Sequence, residues 1–129
     1  MLFRIEPDSS IPIYEQIIAQ VTFGVASGSL AVGGLIPSVR DLAERLMVHP
    51  NTVARAYQEL EREGVLVSRR GRGMEVADQA DNLCRKQRQE ILRRRLRDVL
   101  REAVSSSLPV EDIRHLMNEE LHRVNGQKK

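Results

Sequence analysis

Residues 38–76 read SVRDLAERLMVHPNTVARAYQELEREGVLVSRRGRGMEV, and the reading of this stretch decides the fold. Ser38 suits a helix N-cap, with Asp41 three residues on as a weak form of the capping box. Val39, Leu42, Ala43 and Leu46 then recur at helical spacing. Leu46-Met47-Val48-His49 is a short break. Pro50 opens a second helix, since a proline at the first helical position lacks only an N–H that would have no partner there. Val53, Ala56, Tyr57 and Leu60 give this helix a buried stripe as far as about Glu63, and Gly64 stops it. Val65 and Val67 alternate with Leu66 and Ser68. Arg69-Arg70-Gly71-Arg72-Gly73 makes a tight basic turn, and Met74 and Val76 alternate back. The expected order is helix, turn, helix, then a hairpin with a cationic tip.

Such a unit has the geometry to grip DNA. A helix fits the major groove, where base edges carry a distinct donor and acceptor code, and a preceding helix braces it across the backbone. Ala43 is small where the two helices cross, Met47 sits at the sharp turn and Val53 plugs the shared core. The outward positions of the second helix are His49, Asn51, Thr52 and Arg55, hydrogen-bonding residues near the end that enters a groove first. Arg70 and Arg72 stand at the hairpin tip beside Gly71 and Gly73, where arginine lies along phosphates or enters a narrow minor groove.

Further motifs flank this unit. Pro12-Ile13-Tyr14-Glu15-Gln16-Ile17 precedes it, Gly28-Ser29-Leu30 leads on to Ile36-Pro37-Ser38-Val39-Arg40-Asp41-Leu42-Ala43, and Asn51-Thr52-Val53, Leu60-Glu61-Arg62-Glu63-Gly64 and Gly71-Arg72-Gly73 complete the set. Together they resemble the winged helix-turn-helix of the GntR family of bacterial transcription regulators, over roughly residues 10–77. The run His49-Pro50-Asn51-Thr52-Val53-Ala54-Arg55-Ala56-Tyr57 is similar to that of the small YtrA-type subgroup. The resemblance implies that Arg40 contacts DNA, that a short two-helix tail pairs two copies, and that the regulated genes include neighbouring transport operons. The sequence departs from the family at Met47, where glycine is usual, and at Pro50 and Ala54, where arginine is frequent, so the family's base readings do not carry to those two positions. Val32 and Leu35 differ too, in the loop before the first of the paired helices.

The 129 residues suffice for one small domain and an appendage, and 41% hydrophobic with 29% charged residues is the balance of a folded protein. With two Phe, two Tyr and no Trp the core must be aliphatic. The net charge is only +2, with 8 basic and 9 acidic residues in 1–77 and 12 and 9 in 78–129, so affinity for DNA has to come from local patches. A single Cys84 excludes an internal disulfide and a cysteine zinc site and fits a reducing cytoplasm; it reads as a small apolar residue on a helix face, the alternative being a redox sensor. No signal peptide and no bilayer-spanning run is expected.

Residues 1–10 read as an extended lead whose Leu2, Phe3 and Ile5 tuck against the core, and Tyr14, Ile17, Ile18, Val21 and Val25 mark a first helix from Pro12 to Gly28. Ser29 to Pro37 reads as a loop anchored by Leu30, Leu35 and Ile36. A long helix should run from about Gln79 to Ser105, with Cys84, Leu92, Leu96, Val99 and Ala103 as a stripe in near-heptad rhythm and Ile91 and Leu100 beside it. Ser105-Ser106-Ser107 breaks it. Pro109 begins another helix, with Val110, Ile113, Met117, Leu121 and Val124 as its stripe. The expected fold is mainly α with a small β-hairpin wing: residues 1–77 a winged helix-turn-helix, residues 78–129 a two-helix tail. That tail is too small to close its own core, so a second copy should complete a four-helix bundle through Leu92, Leu96, Val99, Ala103, Ile113, Met117 and Leu121. It leaves little room for a ligand; an effector, if one exists, would bind between domains or across the dimer.

The bland readings have weight. Eight basic residues between Arg85 and Arg101, against Glu90 and Asp98 alone, are most simply a solvated helix face, or else a flank that touches DNA or the acids of a second tail. Asp112, His115, Glu119 and His122 stand at steps of three, four and three on one helix face, a spacing able to hold a divalent metal but more simply a polar surface. Arg40 has Glu44 one turn on, His49 suits a cap, and Arg69 suits a strand surface. No nucleophile elbow, phosphate loop or paired catalytic motif occurs, so neither an enzyme nor a cofactor is indicated. The expected function is a cytoplasmic, homodimeric regulator of transcription that binds double-stranded DNA at an inverted repeat, repressing by occupancy. The rival is a winged-helix protein-interaction module, which would not need arginines at Arg40, on the second helix and at the wing together.

Overall fold

The computed structural model describes residues 3–71 and 73–127. Pro12 and Gly28 frame the first helix, α1 (Ile13–Ser27), whose C-cap Gly28 is left-handed and donates its N–H to the Val25 carbonyl. A stretch before it lies along this helix, held by two glutamine side chains in place of a strand. Gln16 Oε1 accepts from the Glu6 N–H at 2.8 Å while its Nε2 donates to the Glu6 and Ile11 carbonyls at 3.0 and 2.8 Å. Gln20 holds the Arg4 backbone in the same two-way fashion, accepting at 2.7 Å. Phe3 and Ile5 are half-buried against the core as expected, and Leu2 lies outside the described residues.

Ser38 caps α2 (Val39–Leu46), its Oγ accepting from the Asp41 N–H at 3.1 Å. The turn that follows is left-handed at Met47, φ 57° and ψ 45°, with the side chain 91% exposed. Glycine reaches that conformation without cost, whereas a Cβ crowds the next carbonyl there, so Met47 carries strain of about 1–2 kcal/mol. α3 (Pro50–Arg62) begins at the proline and ends before Gly64, with Val53, Ala56, Tyr57 and Leu60 facing inward. The Tyr57 hydroxyl donates to the Pro37 carbonyl at 2.8 Å, tying α3 to the segment that leads into α2, and burial holds this phenol well above its usual range.

Three strands follow the order β1–β3–β2, all antiparallel: β1 (Leu35–Ile36), β2 (Leu66–Arg69) and β3 (Gly73–Val76). Leu66 stands opposite Val76 and Arg69 opposite Gly73, while Leu35 and Ile36 pair with Glu75 and Met74 from the other side. The sequence reading misses β1, because a two-residue strand has no period to detect. Its anchors need correction as well: Ile36 is buried, but Leu35, on the opposite side of the pleat, is 52% exposed. A similar slip affects the hairpin. Val65 precedes the strand, its N–H bonded to the Leu60 carbonyl at 2.9 Å, so the alternation starts at Leu66; Leu66 faces the core and Val67 is only partly covered.

Two compact units divide the chain, Met1–Ile91 and Leu92–Lys129, and the division falls inside α4 (Ala80–Ser105). In the first unit, Ile17, Val21 and Val25 of α1, Leu42 and Ala43 of α2, the inward face of α3, Leu66 and Val76 form one aliphatic core, to which α4 adds Ala80 and Cys84. Burial, followed by the nearby Glu63 and Asp81 carboxylates, pushes the Cys84 thiol up to about 11, so it stays protonated and unreactive near neutrality. In the second unit, α4 ends at a reversal where Ser107 is left-handed and the Leu108 N–H reaches the Ala103 carbonyl at 3.1 Å. α5 (Val110–Gly126) follows, with Pro109 as its N-cap. Ile113 is its buried apolar residue; Leu92, Leu96, Val99, Met117 and Leu121 are exposed and Ala103 is partly covered. Among the described residues no helix is long and apolar enough to cross a membrane.

Candidate nucleic-acid interface

The side of α3 turned away from the core is polar because the sequence puts Asn51, Arg55, Gln58 and Arg62 there at helical spacing, with Thr52 on its flank. Asn51 and Arg55 are exposed, one turn apart. His49 is the N-cap: its Nδ1 accepts from the Asn51 N–H at 3.0 Å, which leaves Nε2 as a donor. The His49 ring therefore fixes the end of the helix that would enter a groove. Near the far end Arg62 pairs with Glu59.

Arg55 is held rather than loose. Its guanidinium carbon lies 3.7 Å from the ring centroid of Tyr14, at the start of α1. Stacking on an aromatic face leaves the in-plane N–H donors of an arginine unused. The Tyr14 hydroxyl is turned to Glu15 Oε1 at 3.3 Å and takes no part in that contact. Sequence reading placed Tyr14 on the packing face of α1, where it is indeed half-buried against the core; the side-chain contact to α3 carries no local signal.

Arg40 is exposed on α2, and among the described residues no ion pair with Glu44 or another carboxylate engages it. At the wing, Gly71 and Gly73 take φ 78° and 97°, values that a side chain disfavours, so the glycines are what allow so tight a tip. Arg70 is exposed there, and Arg72 lies outside the described residues. Arg69 is not a simple surface residue. Its Nε donates to Glu75 Oε2 at 3.0 Å across the hairpin, and Glu75 is only 8% exposed, so this pair ties the tip end of β2 to β3.

The metal reading of α5 does not survive the geometry. His115 Nε2 lies 3.7 Å from Glu119 Oε2, but from Asp112 to His122 the helix rises about 15 Å, so residues on one face do not meet at one point. Among the described residues no three His, Cys, Asp or Glu side chains gather as a metal site. In the basic run of α4, Arg85 pairs with Asp81 at 3.9 Å and Arg101 with Asp98 at 3.8 Å, ordinary pairs along a solvated helix.

Residues 13–76, from the first helix to the last strand of the wing, match the model of the bacterial regulatory proteins of the gntR family. The HTH-type transcriptional repressor YtrA of Bacillus subtilis (strain 168) is 35% identical over 128 residues, 99% of this chain and 98% of the relative. The chain belongs to the GntR family. Its members are DNA-binding regulators of transcription, not enzymes, and this chain is one of them. A solved GntR-family transcription factor, YtrA from Sulfolobus acidocaldarius, shares 30% identity with a TM-score of 0.56, covering 95% of this chain and 98% of its own. The DNA-binding domain of AraR, solved in complex with operator ORX1, matches 57% of this chain and 92% of its own at 26% identity and a TM-score of 0.51. The winged helix-turn-helix with a C-terminal helical region is thus the GntR fold in its short form. Within it, the sequence alone named the outward residues of α3, the wing arginines and Arg40 as candidates; it named neither Gln58 nor the side-chain contacts of Tyr14 and Glu75.

Proposed function

We propose that this GntR regulator is a homodimeric repressor that occupies an inverted-repeat operator in the cytoplasm, with residues 1–77 holding DNA and residues 78–129 pairing the two copies. The observation that carries the reading is the outward face of α3, where Asn51 and Arg55 are exposed beside a capped helix start. Asn51 suits adenine and Arg55 suits guanine; Arg40 and the wing arginines Arg70 and Arg72 act on phosphates, with Thr52, Gly71 and Gly73 allowing close approach. Repression is favoured because the relative in Bacillus subtilis carries that description along nearly its whole length, and because a small dimer on a promoter blocks by occupancy. Pairing is favoured because the second unit leaves Leu92, Leu96, Val99, Met117 and Leu121 exposed, and two helices with open apolar faces need a partner. The resemblance to the YtrA-type subgroup points to a transport operon as the regulated unit.

Selection of bound duplexes from a random pool by the full chain tests this. An enriched inverted repeat with half-sites roughly one helical turn apart is expected. A single unpaired half-site, or no enrichment, rejects the dimeric operator. On the selected site Asn51→Ala should cost ~1–3 kcal/mol with little effect on random DNA, whereas Arg70→Ala should weaken binding to every sequence and lower the salt slope by about one. Equal losses on both DNAs from both variants would remove α3 from base reading.

A further inference from the structure

Arginine on a reading helix is ordinarily a mobile side chain, and holding its fork against a base costs rotamer freedom at the moment of binding. In this protein that freedom is restricted before DNA arrives. Tyr14, itself half-buried against the core, presents its ring to the Arg55 guanidinium at 3.7 Å. Among the described residues no carboxylate pairs with Arg55, so the ring is what orients it and its hydrogen-bonding edge stays open. Asn51 lies one turn earlier on the same face. An arginine so held offers two parallel N–H donors in a fixed plane, which is the pattern that the O6 and N7 acceptors of guanine require and that adenine, with an amino donor at the corresponding place, cannot match.

We infer that Tyr14, which lies on α1 outside the helix-turn-helix, is a positioning residue that pre-orients Arg55 for bidentate reading of one guanine in each half-site. The inference rests on the base-reading role proposed for α3. The ring matters and the hydroxyl does not, because the hydroxyl is turned to Glu15 at 3.3 Å. A lysine in place of Arg55 keeps the charge and loses the fork, so charge alone does not reproduce the preference.

The test uses the full chain on its selected operator, on the same duplex with each guanine of the half-site changed in turn to adenine, and on random DNA. Arg55→Ala should abolish discrimination at one guanine, a loss of about 5- to 150-fold there, and Arg55→Lys should not restore it. Tyr14→Phe should bind as the wild type does. Tyr14→Leu, which fills a similar space without a π-face, should lose discrimination at that same guanine by about three- to tenfold while its affinity for random DNA and its salt slope stay unchanged. Tyr14→Leu should have no further effect in the Arg55→Ala background. A thermal melt accompanies each variant. If Arg55→Ala changes no base preference, the reading of α3 fails and the inference with it. If Arg55→Ala loses a guanine but Tyr14→Leu does not, the reading of α3 stands and Tyr14 is not its positioner. If Tyr14→Leu weakens operator and random DNA alike, or Tyr14→Phe is as impaired as Tyr14→Leu, the ring's role is structural or belongs to the hydroxyl, and the inference is overturned.

Discussion

The two units use apolar residues in opposite ways. In the first, Ile17, Leu42, Val53 and Leu60 are fully buried in a core that four helices and a small sheet build together. In the second, helices with as regular an apolar stripe bury Ile113 and leave Leu121 68% and Val99 64% exposed. The pattern written in the residues is the same; what differs is the number of elements available to cover it. A helix pair cannot surround its own stripe, so periodicity in the second unit describes a surface, and periodicity in the first describes an interior.

The comparison breaks most sharply through pairing. Leu96→Glu, at an exposed position of the second unit, should leave the first unit folded yet weaken operator binding by about 10²–10⁴-fold, because each half-site is then held alone. Sedimentation should show the variant as a monomer where the wild type is a dimer; a wild-type monomer at micromolar concentration would contradict the contrast itself. Next comes Leu60→Ala, in the first unit, which should lower the unfolding free energy by about 2–5 kcal/mol at any protein concentration. Leu121→Ala should instead lower stability to an extent that depends on protein concentration, since its effect passes through assembly. Denaturant titrations at two concentrations separate the two behaviours, and identical shifts would undo the distinction.

Smaller effects sharpen the first unit alone. Ser38→Ala removes the acceptor of the Asp41 N–H and should cost about 1 kcal/mol. Met47→Gly should act in the other direction. It releases the left-handed strain and gives back part of the gain as unfolded-chain entropy, a net stabilisation of about 0.5–1 kcal/mol. Both are read as shifts of the thermal midpoint, and a Met47→Gly variant less stable than the wild type would show that the exposed methionine makes contacts that outweigh its backbone.

Much of this is legible in the residues because it is local. Pro12 and Gly28, Ser38, Pro50 and Gly64 mark their helices correctly to within a residue, since capping and the 3.6-residue period act over one or two turns. The tip glycines Gly71 and Gly73 are readable for the same reason, whereas at Met47 the resemblance shows only that glycine is usual, and the left-handed backbone is found in the structure. The errors are equally local in origin. Val65 shares the apolar alternation of the strand yet lies one residue before β2, and Leu35, which reads as an anchor of its loop, is exposed.

By itself the sequence determined the order of helices and wing, the polar outward face of α3, the aliphatic core and the membership of the GntR family, all from short-range spacing or from motif. Only the tertiary structure decided that Leu35–Ile36 joins β3, that Glu75 is buried and pinned by Arg69, that Cys84 belongs to the first unit's core, and that the Tyr14 ring lies under Arg55. Apart from the Arg69–Glu75 pair, which spans six residues across the hairpin, these features join residues far apart along the chain. Which side chains meet there is set by how α1 crosses α3 and how the strands slide into register, and a pattern of apolar and polar residues along one element does not contain the angle at which it meets another.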